Sequence, residues 1–507
     1  MSAHQFTEIR IPIDANNPAI MRDEALCVKC GACRRVCDAE AVVGRLYDLE
    51  SAGDTPICIH CGQCANACPT GSIAERCEYR DVKKALLDPE KIVVFSTSPS
   101  VRVGLGEAFG LEPGAFVEGK MIAALRELGA DYVLDTNFSA DLTIMEEASE
   151  LAERITGKAK AMPQFTSCCP AWVKFAETFY PNLLPHISSA KSPIGMQGPT
   201  IKTYFARERG IDPKQIVNVA LTPCTAKKFE VNRAEMNAAS REFGIAGMRD
   251  MDHVITTREL ARWMSEEGID FDALQGNGAY DDLMGAASGG GVIFGNTGGV
   301  MEAAARSAYY FVSGRNPPDD YLNLQAVRGM DGLRSATIDV AGTPVRVAVI
   351  HGINNARQTL DDVSAGKRDY DFIEIMNCRG GCIGGGGQPK TKVPLTDEIR
   401  EARIAALYKK DGSMALRFCH ENPDIKAAYA HYYERPLSPC AKRLLHTSYY
   451  KRSGDLGPKG IAEKPLSNAP RHRCVVCGFE QMGNLPANFI CPICRVTKEN
   501  FELMQNP

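Results

Sequence analysis

The chain has 507 residues, 44% hydrophobic and 24% charged, with a formal net charge of −4. That length exceeds one core and predicts roughly two to four domains, and the near-neutral charge argues against nucleic acid or an anionic membrane as a partner. No apolar run reaches the ~18 residues of a membrane span, and the start MSAHQFTEIRIPID lacks the basic and apolar regions of a signal peptide. Cysteine is the informative count. Twenty in a long chain with no export signal read as metal ligands or redox groups in a reducing, cytoplasmic setting.

After a leader (1–20), the segment 21–90 carries CVKCGACRRVC (Cys27, Cys30, Cys33, Cys37) and CIHCGQCANACP (Cys58, Cys61, Cys64, Cys68). Both are C-x2-C-x2-C-x3-C. Three thiolates of such a run wrap one face of a 4Fe–4S cube, and the fourth ligates the other cube. The expected sets are Cys27, Cys30, Cys33 and Cys68 for one cluster, and Cys58, Cys61, Cys64 and Cys37 for the second. Zinc would call for isolated cysteine pairs. The reading is an α+β ferredoxin-like domain.

From 91 to 394 short β-branched runs (KIVVFS, DYVLDT, QIVNVALTP, VRVAVIHG, FIEIMN) look like buried parallel strands. Amphipathic stretches such as DLTIMEEASELAERI and INNARQTLDDVSAG lie between them. This is an α/β pattern, in which ligands bind beyond the carboxyl ends of the strands. Three cysteine motifs sit there: TSCCPAW (Cys168, Cys169), LTPCTAKKFE (Cys224) and MNCRGGCIGGGGQP (Cys378, Cys382). Four thiolates from loops converging at one sheet edge can hold a further 4Fe–4S cluster. The consecutive glycines predict a bulky object within contact distance of the backbone. The side chains of Cys168 and Cys169 diverge, so the pair does not serve one iron equally.

Glu147, Glu150 and Arg154 are three and four apart and share a helix face. Taken alone they read as a solvated charged face, and Lys227 as an unpaired helical lysine. ASGGGVIFGNTGGVMEAA has no Gly-Lys-Ser/Thr and suggests close backbone packing rather than a phosphate loop. Cys77, Cys419, Cys440, His351 and the tryptophans read as structural. Segment 451–472, rich in Gly, Pro, Ser and basic residues, reads as a linker to a tethered, mobile domain.

That domain, 473–507, holds CVVCGFEQMGNLPANFICPIC, two C-x2-C knuckles (Cys474, Cys477; Cys491, Cys494) thirteen residues apart. Four such thiolates suit zinc or one iron. CGF, CP-x-C and the trailing ENFE resemble rubredoxin, in particular the domain that ends rubrerythrins, and lean towards a mononuclear iron. Arg495 stands where that pattern has glycine.

TSCCPAW, PCTAKKFE and CRGGCIGGGGQP resemble the three signature segments of the iron-only (FeFe) hydrogenases. The resemblance runs from the ferredoxin-like region to about residue 450, and segment 395–450 resembles the tail that wraps the two-lobed core of that family. It implies a six-iron H-cluster whose 4Fe–4S part is held by Cys169, Cys224, Cys378 and Cys382. Cys382 would also bridge to a diiron unit carrying CO, cyanide and azadithiolate. It implies Cys168 as the proton-delivering thiol, a relay of Glu147, Ser188, Glu150 and Arg154 behind it, and Lys227 as donor to a cyanide ligand.

The implied partners are dihydrogen and protons, a ferredoxin or similar electron carrier, and maturation proteins for the diiron unit. The knuckle's similarity adds a rubrerythrin-type protein. Thr222, Ala226, Asn377 and Ala171 replace the methionine, serine, alanine and glycine of the best-known members. Two alternatives are a low-turnover sensor and a non-catalytic iron–sulfur assembly protein. Sensors tend to lose the relay cysteine, and assembly relatives lack part of the diiron-site motif, whereas both features stand in this chain.

Overall fold

The computed structural model describes residues 9–47, 56–157, 161–391, 395–461, 463 and 469–504. In the N-terminal region β1 (Ile20–Arg22) pairs antiparallel with β2 (Ile73–Glu75). Helices Ala32–Ala39 and Gln63–Ala67 lie between them. Each opens on a glycine of positive φ, Gly31 at +82° and Gly62 at +68°. This is the mixed α/β, ferredoxin-like start that the cysteine runs predict.

Two four-stranded sheets build the centre. β3 (Ile92–Thr97), β4 (Tyr132–Asp135), β6 (Ile216–Thr222) and β7 (His253–Thr256) form a parallel sheet in the order β4-β3-β6-β7. β5 (Gln164–Phe165), β8 (Leu333–Val340), β9 (Thr343–His351) and β10 (Phe372–Met376) form the second, in the order β5-β10-β9-β8. Every residue of β10 is buried, which is why its sequence is continuously apolar save Glu374.

Strand β8 alternates exposed and buried residues and joins β9 antiparallel through Ala341 and Gly342, both of positive φ. Its polar alternation hid it among the runs read as strands, and β7 was too short to stand out. The single sheet edge expected for the cysteine loops is corrected to two. β5 and β10 deliver two of the loops, and β6, from the other sheet, delivers the third.

Helix Thr136–Ile155 starts where Asp135 accepts the Asn137 N–H at 2.7 Å, and it packs against helices Pro193–Thr200 and Gly299–Ser313. It is buried almost all round. Glu147, Glu150 and Arg154 are 0%, 1% and 6% exposed, so the solvated charged face is excluded.

The glycine run has a partly different cause from the one expected. A Cβ on Gly386 would meet the Cys61 carbonyl oxygen at 2.2 Å, and on Gly385 that of Pro223 at 2.4 Å. On Gly387 it would meet Thr256 at 2.5 Å. Backbone, more than cofactor, occupies those flanks. In ASGGGVIFGNTGGVMEAA the packing is equally close: a Cβ on Gly291 would lie 2.6 Å from the Asn137 carbonyl oxygen.

Segment 397–445 clamps this arrangement. Arg403 of helix Asp397–Ser413, fully buried, pairs with Glu107 at 2.6 Å and donates to the Ile383 carbonyl at 2.7 Å. At the C-terminus β11 (Arg471–Cys474) is central between β12 (Glu480–Met482) and β13 (Phe501–Met504). The linker read as free is held over its described residues. Leu456 is buried in the core, and Glu463 pairs with Arg357 at 2.6 Å and also with Arg45.

Gly386→Ala tests the backbone contact. The position lacks positive φ, so its cost is steric, and overpacking should destabilise by ~1–3 kcal/mol. Gly412→Ala, where an added Cβ meets nothing within 4 Å on an exposed helix turn, should be neutral or slightly stabilising. Thermal unfolding of the two iron-loaded variants against the parent checks both.

Candidate active site

Each cysteine loop leaves the carboxyl end of a parallel strand. Cys169 caps helix Pro170–Phe179, Cys224 follows β6, and Cys378 and Cys382 follow β10. They meet, with Cys168, around one cavity. Its walls are largely apolar (Pro99, Ala140, Ile194, Phe294, Met376), and Lys227 is the one charged side chain among the lining residues.

N–H groups point at the sulfurs, among them those of Asn377 and Gln63. Asn377 N–H lies 3.4 Å from Cys169 Sγ, and the Gln63 amide 3.1 Å from Cys378 Sγ. Burial pushes the Cys224 thiol up to about 11, and those of Cys378 and Cys382 well up too. Such thiols do not ionise unaided. A cluster of bound iron supplies the positive charge that makes thiolates stable there, so the donor set fits a sulfur-ligated iron cluster.

Two smaller cavities continue the series into the N-terminal domain. Cys37, Cys58, Cys61 and Cys64 line one. Cys27, Cys30, Cys33 and Cys68 line another. Cys61 borders the central cavity as well. The last thiol of each run thus lines the cavity of the other run's first three.

Behind Cys168 stands a buried polar chain. Glu147 accepts the Ser167 N–H at 3.3 Å, and its Oε2 makes no hydrogen bond among the described residues. Burial, then the neighbouring charge of Glu150, pushes Glu147 up to about 8. Ser188 Oγ donates to Glu150 at 2.7 Å and lies beside Glu147. Arg154 donates to the Ala161 and His186 carbonyls at 2.6 and 3.1 Å. Lys227 is paired, contrary to its reading from the sequence. It donates to Glu230 at 2.8 Å and to the Cys168 carbonyl at 3.1 Å.

Several participants escaped sequence reasoning. Gln63 comes from a different domain, so no local signal marks it. Glu230 is three residues from Lys227 and was legible as a pair. Ser189 donates to Glu150 and lies 2.8 Å from His446 Nδ1, whose Nε2 is 2.9 Å from Glu146. Residues 257 positions apart in the chain give no such hint. Of the four departures, Thr222, Asn377 and Ala171 line the cavity, while Ala226 is buried in the helix behind it.

At the C-terminus, Cys474, Cys477, Cys491 and Cys494 place all four sulfurs within 4.8 Å of one another, with 3.6 Å and 3.5 Å for the pairs 474–494 and 477–491. A tetrahedron with ~2.3 Å metal–sulfur bonds has edges of roughly 3.8 Å, so this set fits one tetrahedral ion. No helix among the described residues is long and apolar enough to cross a membrane.

Comparison with known proteins agrees with this geometry. The family described as iron only hydrogenase large subunit, C-terminal domain, matches residues 91–386. Iron hydrogenase small subunit matches 397–452, and a 4Fe-4S dicluster domain 26–73. The periplasmic Fe hydrogenase large subunit of Nitratidesulfovibrio vulgaris is 48% identical over 76% of this chain and 89% of its own length. Iron hydrogenase 1 of Clostridium pasteurianum is 40% identical over 87% and 77%. Cytosolic iron-sulfur assembly component 3 of Bos taurus is 31% identical over 73% and 76%. An FeFe-hydrogenase structure from Chlamydomonas reinhardtii superposes with a TM-score of 0.64 at 39% identity, covering 74% of this chain and 98% of its own. With a family match over more than half its length and these cavities at the ends of its strands, the chain belongs to the iron-only hydrogenases.

Proposed function

We propose that this chain is an active FeFe hydrogenase, interconverting dihydrogen with two protons and two electrons. The observation that carries it is Cys168. A fifth thiol, outside the expected ligand set, lines the same cavity and backs onto a buried carboxyl that can hold a proton at neutral pH. An iron–sulfur scaffold without turnover has no use for such a chain.

On this reading Cys169, Cys224, Cys378 and Cys382 would hold the H-cluster. When bound, that group supplies the metal chemistry that makes and breaks the H–H bond. The protein does the rest. Cys168 Sγ hands a proton in or out of the cavity as its thiol, since burial, then the charge of Glu147, pushes its pKa well up and keeps it protonated at rest. Glu147 carries the next proton as its carboxylic acid, and Ser188 Oγ bridges to Glu150 for transfer outward along helix Thr136–Ile155. Arg154 fixes the outer end through the Ala161 and His186 carbonyls. Lys227, steadied by Glu230, offers its ammonium to the anionic ligands of the cluster and balances their charge. The largely apolar walls disfavour water in the cavity.

Electrons follow the second series of cysteines. Cys61 borders both the central cavity and the Cys37/Cys58/Cys61/Cys64 site, so the two clusters would be immediate neighbours. The Cys27/Cys30/Cys33/Cys68 cluster continues the path to a ferredoxin-type carrier. Maturation proteins would install the diiron unit. A rubredoxin-type iron at the C-terminal knuckles completes the inventory, about fifteen irons per matured chain.

In matured protein, infrared bands of metal-bound CO and cyanide should appear, with hydrogen evolution from an artificial donor. Cys168→Ser should keep those bands and the iron content but cut turnover by roughly 10²–10⁴-fold, since a hydroxyl gives up its proton far too reluctantly. Intact turnover in that variant would overturn the proton-delivering role of Cys168, and the absence of such bands from protein made with maturation factors would leave the assembly-type reading in its place.

The Glu147 carboxyl makes a pH prediction. Between its ordinary value of 4.5 and the folded value of about 8, the native state keeps a proton that the unfolded chain has released. This group's contribution to stability therefore falls as pH rises across that window. A carboxylic C=O infrared band, absent from Glu147→Gln, should disappear as pH passes about 8, and the variant's stability should lose that part of the slope.

A further inference from the structure

The C-terminal knuckle domain rests against the outermost iron–sulfur site of the N-terminal domain. Met482 N–H donates to the carbonyl of Cys30 at 3.0 Å. The next residue, Gly31, has φ +82°, and a Cβ there would stand 2.9 Å from Met482 Cβ and Cγ. Glycine is thus required twice over, for conformation and for closeness. Glu480, its side chain 8% exposed, pairs with Arg35 of helix Ala32–Ala39 at 3.1 Å. Cys30, Ala32 and Val36 share one apolar cluster with Cys474, Phe479 and Cys491. Two proposed metal-binding sites therefore have ligands in a single patch of core.

A continuous backbone route joins them. From the Cys30 carbonyl it crosses to Met482 N–H, runs back along β12 to Phe479, and crosses from the Phe479 carbonyl to Cys474 N–H at 2.8 Å. The far side of the knuckles faces solvent: Val475, Val476 and Ile493, set between the cysteines, are 60%, 58% and 43% exposed. The linker adds to the fixed position, since Leu456 is buried and Glu463 is pinned by two arginines.

We propose that the tetrathiolate site is a fixed outer terminal of the electron path, docked on the Cys27/Cys30/Cys33/Cys68 cluster and exchanging single electrons with it across the Cys30–Met482 contact. One electron leaves the reduced 4Fe–4S cluster, returning it to its oxidised form, and converts ferric tetrathiolate iron to ferrous. No bond forms or breaks. Each dihydrogen oxidised at the central cavity yields two protons and two electrons, enough to reduce the terminal iron of two chains. The proposal rests on the hydrogenase reading for its source of electrons and on iron, rather than zinc, at the knuckles.

The test uses full-length matured protein. In the first arm, oxidised protein is exposed to dihydrogen and the ferric tetrathiolate absorption is followed. It should bleach in the parent. Glu480→Arg, which faces Arg35 and Arg471 with a like charge, should slow bleaching at least tenfold with hydrogen evolution from an artificial donor unchanged. The exchanged pair, Arg35→Glu with Glu480→Arg, should restore it. Bleaching that is equally fast in all three, or zinc at the knuckles by metal analysis, overturns the proposal.

The second arm needs no hydrogenase activity. After chemical reduction, the electron-paramagnetic signal of one 4Fe–4S cluster should relax faster with iron at the knuckles than with zinc, and the difference should shrink in Glu480→Arg. Equal relaxation with either metal overturns the docking. Failure of dihydrogen to reduce any centre, with the relaxation difference intact, would instead count against the hydrogenase reading and leave the docked terminal standing.

Discussion

Backbone meets backbone where Gly384–Gly387 passes between Pro223 and the Cys61–Gly62 turn. Added Cβ atoms would sit 2.2–2.4 Å from carbonyl oxygens at Gly384, Gly385 and Gly386, distances that real side chains do not adopt. This crossing lets a loop from β10, a loop from β6 and a turn of the ferredoxin-like domain reach one point. The cysteines beside it then converge, and Cys61 can border two cavities at once. Arg258 secures the same crossing by donating to the Gln388 carbonyl and pairing with Glu75 at 2.8 Å. Arg403 holds the other side against Glu107. Breaking a buried pair of this kind leaves an uncompensated charge and costs about 3–5 kcal/mol.

The same economy of space explains why the acids Glu146, Glu147 and Glu150 of helix Thr136–Ile155 are buried instead of solvated. Helix Thr136–Ile155 runs through the middle of the molecule, so its carboxylates must be satisfied or neutral. Glu146 is satisfied, by Tyr429, the Leu437 N–H and His446. Glu150 accepts from Ser188 and Ser189. Glu147 has one N–H donor at 3.3 Å and, among the described residues, no hydrogen-bond partner for Oε2, and burial favours its protonated form. One helix thus carries adjacent acids in different surroundings: Glu146 is held by three partners, whereas burial raises the pKa of Glu147, and the difference lies in partners rather than residue type.

The C-terminal domain is joined by a sparse contact: a backbone hydrogen bond, an ion pair and a small apolar cluster. An exposed contact of that size would hold two separate proteins weakly. Covalent attachment through a linker that is itself fastened makes the encounter intramolecular, and modest contacts then suffice. The expectation of a roaming tether came from composition, which reports the lack of periodicity but not the arginines that wait on distant elements.

The sequence by itself determined the chemistry. Cysteine spacing is local, so C-x2-C-x2-C-x3-C and paired C-x2-C runs announce their clusters without any fold, and the β-branched runs announce buried strands because burial on both faces demands them. Three motifs in order were enough to point to the family. Tertiary structure decided what depends on distance between remote segments. Two sheets, not one, frame the cavity, because the strand order follows from crossovers that leave no residue signature. Edge strand β8 escaped notice because one face meets water and its pattern is mixed. The glycines turned out to meet carbonyl oxygens as well as a cavity. Whether Glu147 is a solvated ion or a buried acid, whether Lys227 is paired, and whether the last domain roams or docks could not be read from residue types. Each is set by groups dozens to hundreds of positions away, and only the folded chain brings them into contact.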